Sequence, residues 1–432
     1  MTSSRLIAAQ ILLNVVDQGR SLNDELPTRL AEVDIDQQPF VQQLVYGASR
    51  YYFALDELIG KIVDKPIKDK ERLVHMILAI GIYQLWKLNV AEHAAIHETV
   101  ATTVESKRQW AKGLVNASLR RFQREKEALL AECRRGDSFP GWLNKRLRQA
   151  YPEHYADICA HSNIPAPMSL RINAKRQSPK AWLQIAEQEG IQAHACEHSH
   201  VGVTLQSPAP VAMLPGFEQG DVSVQDEAAQ LCAQLLPIKD GDRVLDACSA
   251  PGGKTGHLLE SAQNLELLAL DVSAERLHRV QENLDRIGEQ AQLIAADAAD
   301  VEHWWDGKAF NAILLDAPCS GTGVIRRHPD IKLLRKSADI SALAKIQQNL
   351  LQKLWPTLAP GGHLLYATCS ILPDENTQQI EAFVSQVSDV EVIELNLDAD
   401  VASPMGVQWL PQPNGHDGFF YALLKKTDTA DC

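Results

Sequence analysis

The sequence predicts an α/β protein: a mostly parallel, doubly wound sheet, preceded by a small α/β connector and an all-helical bundle. Three observations predict it. From about residue 218 onward, short apolar runs alternate with amphipathic segments. Residues 1 to about 135 carry apolar side chains at helical spacing and almost no prolines. Between these regions the prolines return (Pro152, Pro165, Pro167) and strand-like pieces begin.

The opening helix is marked by Leu6, Ile11, Leu12, Val15 and Val16, with Asp17 and Gln18 arriving before any cleavage-type sequence. That pattern reads as a first core helix rather than a signal peptide. Phe40-Val41-Leu44-Val45 and Val74-Ile77-Leu78-Ile80-Leu85 repeat the helical spacing, and Asp64-Lys65-Pro66 breaks the helices apart. A compact helical bundle over residues 1–138 follows from this. Composition changes at Ser138-Phe139-Pro140-Gly141. A strand over Met168–Asn173, a helix around Pro179–Leu183 and a strand over Gly202–Leu205 define a connector over residues 139–217, closed by Pro215-Gly216-Phe217.

Residues 218–432 form the third domain. Its strands are expected at 243–246, 267–270, 292–294, 312–315, 363–366 and 419–424. Continuous apolar strands separated by amphipathic stretches such as 342–354 are buried on both faces, which requires helices above and below a parallel sheet.

Composition narrows the function classes. The chain has 432 residues, 45% of them hydrophobic and 22% charged. No apolar run approaches the roughly 18 residues that span a bilayer. The eight cysteines contain no CxxC pair, so neither a disulfide framework nor a zinc ribbon is expected, and a reducing cytoplasm fits best. The net charge of −13 excludes a uniformly basic coat. A local basic stretch remains: Lys107, Arg108, Lys112, Arg120, Arg121, Arg124, Lys126, Arg134, Arg135, Lys145, Arg146 and Arg148. By itself it reads equally as a nucleic-acid face or a solvated helix surface.

Asp246-Ala247-Cys248-Ser249-Ala250-Pro251-Gly252-Gly253-Lys254-Thr255 lies between the first strand of the third domain and its helix. Small residues let the backbone approach a ligand, and the helix start offers free N–H groups. Gly253-Lys254-Thr255 ends like a phosphate-binding P-loop, but Cys248 stands where that motif needs glycine. An adenosyl or dinucleotide cofactor instead requires an acid at the end of the second strand. Asp271 meets that requirement, while Asp297 and Asp316 close the third and fourth strands. Each alone could be a helix cap. Together they favour a bound adenosyl group.

Cys319, in Asp316-Ala317-Pro318-Cys319, and Cys369, in Tyr366-Ala367-Thr368-Cys369-Ser370, each follow an apolar strand. Two thiols delivered to the carboxyl edge of one sheet point to covalent chemistry, because a thiolate is a strong nucleophile near neutral pH. Residue chemistry alone does not order their roles. Cys133, Cys159, Cys196, Cys232 and Cys432 read as inert or simply exposed, and Cys248 as packing or backbone within the loop.

Two resemblances add to this reading. Residues 77–85, Ala94-Ala95-Ile96-His97-Glu98-Thr99-Val100 and Lys112–Arg120 resemble the NusB family of RNA-binding bundles. That resemblance implies RNA contact and tips the basic stretch toward it. Residues 224–229, 248–254, 316–323, Arg326-Arg327-His328-Pro329-Asp330, 360–362, 366–370, Glu375-Asn376 and Asp417-Gly418-Phe419-Phe420 resemble RNA cytosine carbon-5 methyltransferases. With the bundle, the chain is similar to the Sun/Fmu family, which methylates small-subunit ribosomal RNA using S-adenosylmethionine.

The resemblance implies a Rossmann-like catalytic domain in which Cys369 attacks the base and Cys319 helps release the product. It implies that Cys248, Ser249, Ala250, Pro251, Gly252, Gly253 and Lys254 hold the methionine end of the cofactor, Asp271 the ribose and Asp297 the adenine edge. Asp316 would lie near the cofactor's amino group and the target base. Arg326, Arg327 and His328 are candidates for touching RNA phosphate or the base, and His416 reads equally as structural. The expected partner is 16S ribosomal RNA, with no membrane, no DNA and a monomeric chain. A non-catalytic RNA-binding factor and a P-loop NTPase are the rival readings.

Overall fold

The computed structural model describes residues 3–427; Cys432 lies outside them. Contacts divide the chain into two compact units, Met1–Asn163 with Ile325–Lys336, and Ile164–Val324 with Ser337–Cys432. No helix of the described residues is long and apolar enough to cross a membrane.

The first unit is helical. Its longer helices are Ser4–Gln18, Gln38–Arg50, Tyr52–Ile62, Arg72–Lys87, Glu92–Glu105 and Lys112–Ala131, joined by the shorter Leu22–Leu30, Gly141–Ala150 and Tyr155–His161. The first is bounded as its sequence demands: the Ser3 hydroxyl accepts from Leu6 N–H, and Gly19 closes it at φ +69°. Arg72–Lys87 is apolar on nearly every face because it runs through the middle, burying Leu73 to Leu85 almost without interruption.

The segment Ile325–Lys336 belongs to this helical unit although it is far away in sequence. Asp330 Oδ2 accepts from Leu22 N–H at 3.0 Å, and Arg50 donates to the Arg326 carbonyl at 2.8 Å. Lys332 is 1% exposed. Its ammonium nitrogen donates to the Arg50 carbonyl and to Asn163 Oδ1 at 2.9 Å, and stands 4.7 Å over the Phe139 ring. Burial, with Arg50 nearby, holds this amine well below the ordinary lysine range. Arg326, a candidate phosphate contact from the sequence, is 1% exposed and is therefore an interior residue of this unit. Arg327 and His328 are half-buried.

The second unit holds two sheets. In the smaller, β1 (Met168–Ile172), β2 (Ala193–Ala195), β3 (Gly202–Leu205) and β4 (Val222–Val224) pair antiparallel in the order β2-β3-β1-β4. Helix Pro179–Gln188 covers it, sealing Trp182 and Ala186 against Leu170, Ile172, Val203 and Leu205.

The larger sheet has nine strands. They are β5 (Arg243–Asp246), β6 (Glu266–Asp271), β7 (Gln292–Ala295), β8 (Phe310–Asp316), β9 (Leu358–Thr368), β10 (Val390–Ile393), β11 (Val401–Ser403), β12 (Gly406–Trp409) and β13 (Phe419–Lys426). The order is β11-β12-β13-β9-β8-β5-β6-β7, with β10 also on β13. β5 through β9 pair parallel, while β13 runs antiparallel to β9. Apolar clusters fill both faces, one around Val244, Leu314 and Leu365, the other around Leu245, Ile313 and Leu364. Alternate residues of the same strands supply the two clusters, as the pleat requires. β9 starts earlier than its apolar run. It passes through Pro360-Gly361-Gly362, where the register against β8 shifts because proline donates no hydrogen bond and Gly361 takes φ +73°.

Candidate active site

Strand order locates the site. From β5 the chain steps through β6 to β7 on one side, then crosses to β8 and β9 on the other. The order reverses between β5 and β8, and ligands of such sheets bind outside the carboxyl ends at that point. A cavity of about 540 Å³ opens there. Its wall includes Ala247, Cys248 and Ala250 after β5, Asp271 after β6, Asp297 after β7, Asp316 and Cys319 after β8, and Cys369 after β9.

The loop after β5 is held tightly. Ser249 is buried, and both its N–H and its hydroxyl donate to the Leu270 carbonyl. Ser249 therefore shapes the loop and does not line the cavity. Pro251 is exposed. Gly252 adopts φ +97°, and a Cβ there would sit 3.0 Å from Val280 Cα, so only glycine fits. Gly253 and Lys254 open helix Gly253–Ser261. Lys254 Nζ reaches Asp316 Oδ2 at 2.7 Å. Burial, the largest single influence, pulls the Lys254 pKa down, but Asp316 together with the nearby thiols holds the ammonium above the ordinary lysine range.

Asp271 is 5% exposed and accepts from the Ala250 and Ser273 N–H groups. Asp297 is exposed and accepts from Ala299 N–H. The wall thus offers small apolar residues beside three carboxylates and Arg276, whose guanidinium stands 3.4 Å from Asp271. That acceptor set suits an adenosyl group with ribose hydroxyls and an amino group. Acids outnumber the lining cation, which disfavours a triphosphate.

Beneath the loop lies Asp246, fully buried, with Oδ2 accepting from the Thr255 hydroxyl at 2.7 Å and Oδ1 without a hydrogen-bond partner. Burial pushes its carboxyl up to about 7, against the Thr255 hydrogen bond. The folded state therefore holds a proton that the unfolded chain, titrating near 4, has released. Stability from this group is full below about pH 4 and is lost as pH rises toward 7. Asp246→Asn should flatten the fall of the thermal midpoint across that interval; an unchanged slope would show that Asp246 is ionised throughout.

The two thiols meet. Cys319 Sγ and Cys369 Sγ stand 3.4 Å apart, both half-buried at the cavity. The hydrogen bond with Cys369, then burial, raise the Cys319 pKa well above the ordinary thiol range. The remaining described thiols lie off the cavity wall, except Cys248. Burial pushes Cys159 up to about 11, Cys196 and Cys232 up to about 12, and Cys133 upward.

One side chain ties the two cysteine loops together. Glu375 is fully buried. It accepts from Ser320 N–H at 2.8 Å, Ser320 Oγ at 2.5 Å, Ser370 Oγ at 2.6 Å and Gln347 Nε2 at 3.2 Å. Ser320 follows Cys319 and Ser370 follows Cys369, so one carboxyl fixes both thiols. Asn376 adds to this by donating to the Ser370 carbonyl and accepting from Thr368 Oγ1. Gly323 N–H donates to the Cys369 carbonyl, and a Cβ at Gly323 would meet Gly418 O at 2.2 Å, so only glycine permits this approach. His416 is buried against Trp409 with ring centroids 4.1 Å apart, and Nδ1 meets the Asp417 carbonyl, which makes it a packing residue of the neighbouring loop.

A second interior residue supports the cofactor loop. Arg171, fully buried in β1, bonds both oxygens of Glu260 at 2.7 and 2.8 Å, and donates to Gln225 Oε1 and the Gly253 carbonyl, each at 2.6 Å. The sequence offered one signal of this, an arginine inside the apolar strand Leu170-Arg171-Ile172. Arg171→Lys keeps the charge but loses the planar fork. We expect it to cost about 3 kcal/mol of stability in urea unfolding; a cost under about 0.5 kcal/mol would show the pairing to be incidental.

Comparisons with known proteins agree with this architecture. Family models match in three places: "16S rRNA methyltransferase RsmB/F" at residues 233–425, the NusB family at 2–124, and a "Methyltr_RsmF/B-like, ferredoxin-like domain" at 139–212. The chain is 49% identical over 427 residues to "Ribosomal RNA small subunit methyltransferase B" of Pseudomonas putida, covering 98% of each chain. It is 48% identical to the protein of the same name from Pseudomonas syringae, over 99% of this chain and 98% of that one. Among solved structures, "Crystal Structure of PH0851" matches with TM-score 0.81 at 21% identity, over 99% of both chains, which shows a shared fold. With the NusB-type bundle, the ferredoxin-like sheet and the paired-thiol crevice on one chain, the protein belongs to the RsmB/F family of 16S rRNA methyltransferases.

Proposed function

We propose that the chain methylates carbon 5 of a cytosine in 16S ribosomal RNA through a transient bond between Cys369 and the base. One observation carries this reading: the two sulfurs, 3.4 Å apart, share a cavity with the loop after β5 and with Asp271. The names of the relatives supply the substrate class.

S-adenosylmethionine, the donor this family uses, supplies a methyl group on a positively charged sulfur. In the proposed assignment the loop from Cys248 to Lys254 holds its methionine end, with Cys248 and Ala250 on the cavity wall and Ser249 bracing the loop from behind, while Asp271 holds its ribose and Asp297 its adenine edge. Lys254 orients the Asp316 carboxylate toward the cavity.

Carbon 5 of cytosine is a poor nucleophile. Cys369 adds as thiolate to carbon 6, forming a carbon–sulfur bond and leaving carbon 5 an enamine carbon that takes the methyl group. The proton on carbon 5 then leaves to solvent. The carbon 6–sulfur bond breaks, its electron pair returning to Cys369. The family resemblance assigns the attack to Cys369 and leaves Cys319, 3.4 Å away, as the hydrogen-bond donor beside it. The Cys319 S–H stabilises the departing thiolate. The base must leave its stack to reach these sulfurs.

Small-subunit ribosomal RNA carrying tritium at carbon 5 of its cytosines tests the reading. Incubation with S-adenosylmethionine should release tritium in step with methyl transfer. Transfer without release would place the methyl group elsewhere and sink the carbon-5 assignment.

A further inference from the structure

The helical unit carries an aromatic side chain that its core does not use. Trp110 is 58% exposed, on the single turn Gln109–Ala111 between helices Glu92–Glu105 and Lys112–Ala131. Tryptophan in a soluble chain is normally mostly covered. The turn that presents it is built around Lys107, which takes the left-handed φ of +60°. Arg108 N–H bonds the Thr103 carbonyl at 2.7 Å and Lys107 N–H the Val104 carbonyl at 3.0 Å, the usual closing pattern of a helix end. Glycine is favoured at that position, yet the sequence places a cation there.

Two residues beyond Trp110, Lys112 opens a groove of about 960 Å³, also lined by His93, His97, Asn116 and Arg120. Lys107, Lys112, Arg120, His93 and His97 are exposed. Two acids also line the groove, and both are engaged: Glu105 accepts from Ser3 N–H and Oγ at 2.6 Å, and Glu98 meets His97 Nδ1 at 3.1 Å. The groove thus offers a ligand Lys112, Arg120, the Asn116 amide and an apolar wall that includes Val104, and the turn beside it adds the Trp110 indole and Lys107.

We propose that Trp110 is a stacking platform for an unpaired RNA base, with Lys107, Lys112 and Arg120 neutralising phosphates of the same strand along the groove. The pairing of an exposed aromatic face with nearby cations favours single-stranded nucleic acid, since every base offers a π-face and every linkage a charge. A protein partner would gain little from the two hydrated ammonium groups that flank Trp110 in sequence, Lys107 and Lys112. The inference rests on the RNA-modifying reading above, and it extends that reading to the form of RNA engaged here: an unpaired loop or end rather than a continuous duplex.

Equilibrium binding tests it without any methyl transfer. The full-length chain is titrated with a uridine-rich oligoribonucleotide of about 12 nucleotides and with a duplex of equal length. Trp110→Ala should weaken single-strand binding about tenfold, leave duplex binding within about twofold, and be largely rescued by Trp110→Phe. Lys107→Gly should weaken both ligands and raise the thermal midpoint, because the left-handed turn is relieved. Equal affinity of Trp110→Ala and the unsubstituted chain for the single strand would overturn the platform, as would equal losses on both ligands or no single-strand binding above background. A Trp110→Ala chain that binds RNA normally but no longer cosediments with small ribosomal particles would overturn it in favour of a protein contact. None of these outcomes depends on the catalytic assignment, which the tritium assay judges separately.

Discussion

Cys369→Ala is expected to abolish methyl transfer while leaving S-adenosylmethionine binding intact, and Cys319→Ala to accumulate protein covalently joined to RNA. The two sulfurs look alike, each half-buried at the end of a parallel strand and 3.4 Å from the other. Their proposed roles differ by family resemblance, which gives Cys369 the attack and Cys319 the release of product. Without Cys369 no bond to carbon 6 forms, carbon 5 stays unreactive, and turnover should fall by about 10⁴-fold or more. The adenosyl end of the cavity, around Asp271 and Ala250, lies on different strands, so cofactor affinity should change less than about threefold. Without Cys319 the first bond still forms, but the departing thiolate loses its S–H donor and release becomes slow. A band of protein plus RNA should then persist on denaturing gels, in step with methylated product. A band from Cys369→Ala and none from Cys319→Ala would exchange the two roles. No band from either, with activity intact, would remove the covalent route altogether.

The parts of this site that were legible in the sequence are those set by short-range pattern. β5, β6, β8 and β9 announce themselves as apolar runs, and residues within a few positions past each run reach the crevice, as the carboxyl ends of such strands do. Asp271, Asp316, Cys319 and Cys369 could therefore be picked out before any contact was known. Strands Val390–Ile393, Val401–Ser403 and Gly406–Trp409 were not, because they are short, add to the far edge beside β13 and owe their existence to pairing across the sheet.

The Arg326–Asp330 stretch shows the same limit differently. Its charges suggest a solvent or phosphate role, but Asp330 caps onto Leu22, Arg50 reaches the Arg326 carbonyl, and the next lysine is sealed beside Asn163. Contacts over some 300 residues of separation leave no periodic trace. Arg171 and Glu375 are the clearest cases. Arg171 is visible as a charge inside an apolar strand, whereas Glu375 sits between polar Asp374 and Asn376 and stands out only by family resemblance; which backbone groups either one satisfies is a property of the fold.

Glu375→Ala should be the most damaging substitution outside the cysteines. The carboxyl is fully buried and takes four hydrogen bonds, one from a backbone N–H and two from the hydroxyls beside the thiols. Removing it strands Ser320 N–H, leaves the two hydroxyls to their weaker bonds with each other and Thr322, and opens a cavity, where a stranded buried donor costs about 1–3 kcal/mol. With partial relaxation, a total near 4 kcal/mol is expected in urea unfolding. The functional loss is separate. If Glu375 only held the fold, folded Glu375→Ala protein at low temperature would turn over normally. If it sets the spacing of Cys319 and Cys369, kcat should fall about 100-fold in folded protein while KM for S-adenosylmethionine stays put, because a displacement near 1 Å suffices for such a loss. Glu375→Gln discriminates further. Its amide oxygen can keep the Ser320 N–H bond while its NH₂ donates to the serine hydroxyls, which can turn to accept. It should recover most of the stability and part of kcat. Full activity in folded Glu375→Ala would leave the carboxyl a packing device and would mean that the strand ends alone position the sulfurs.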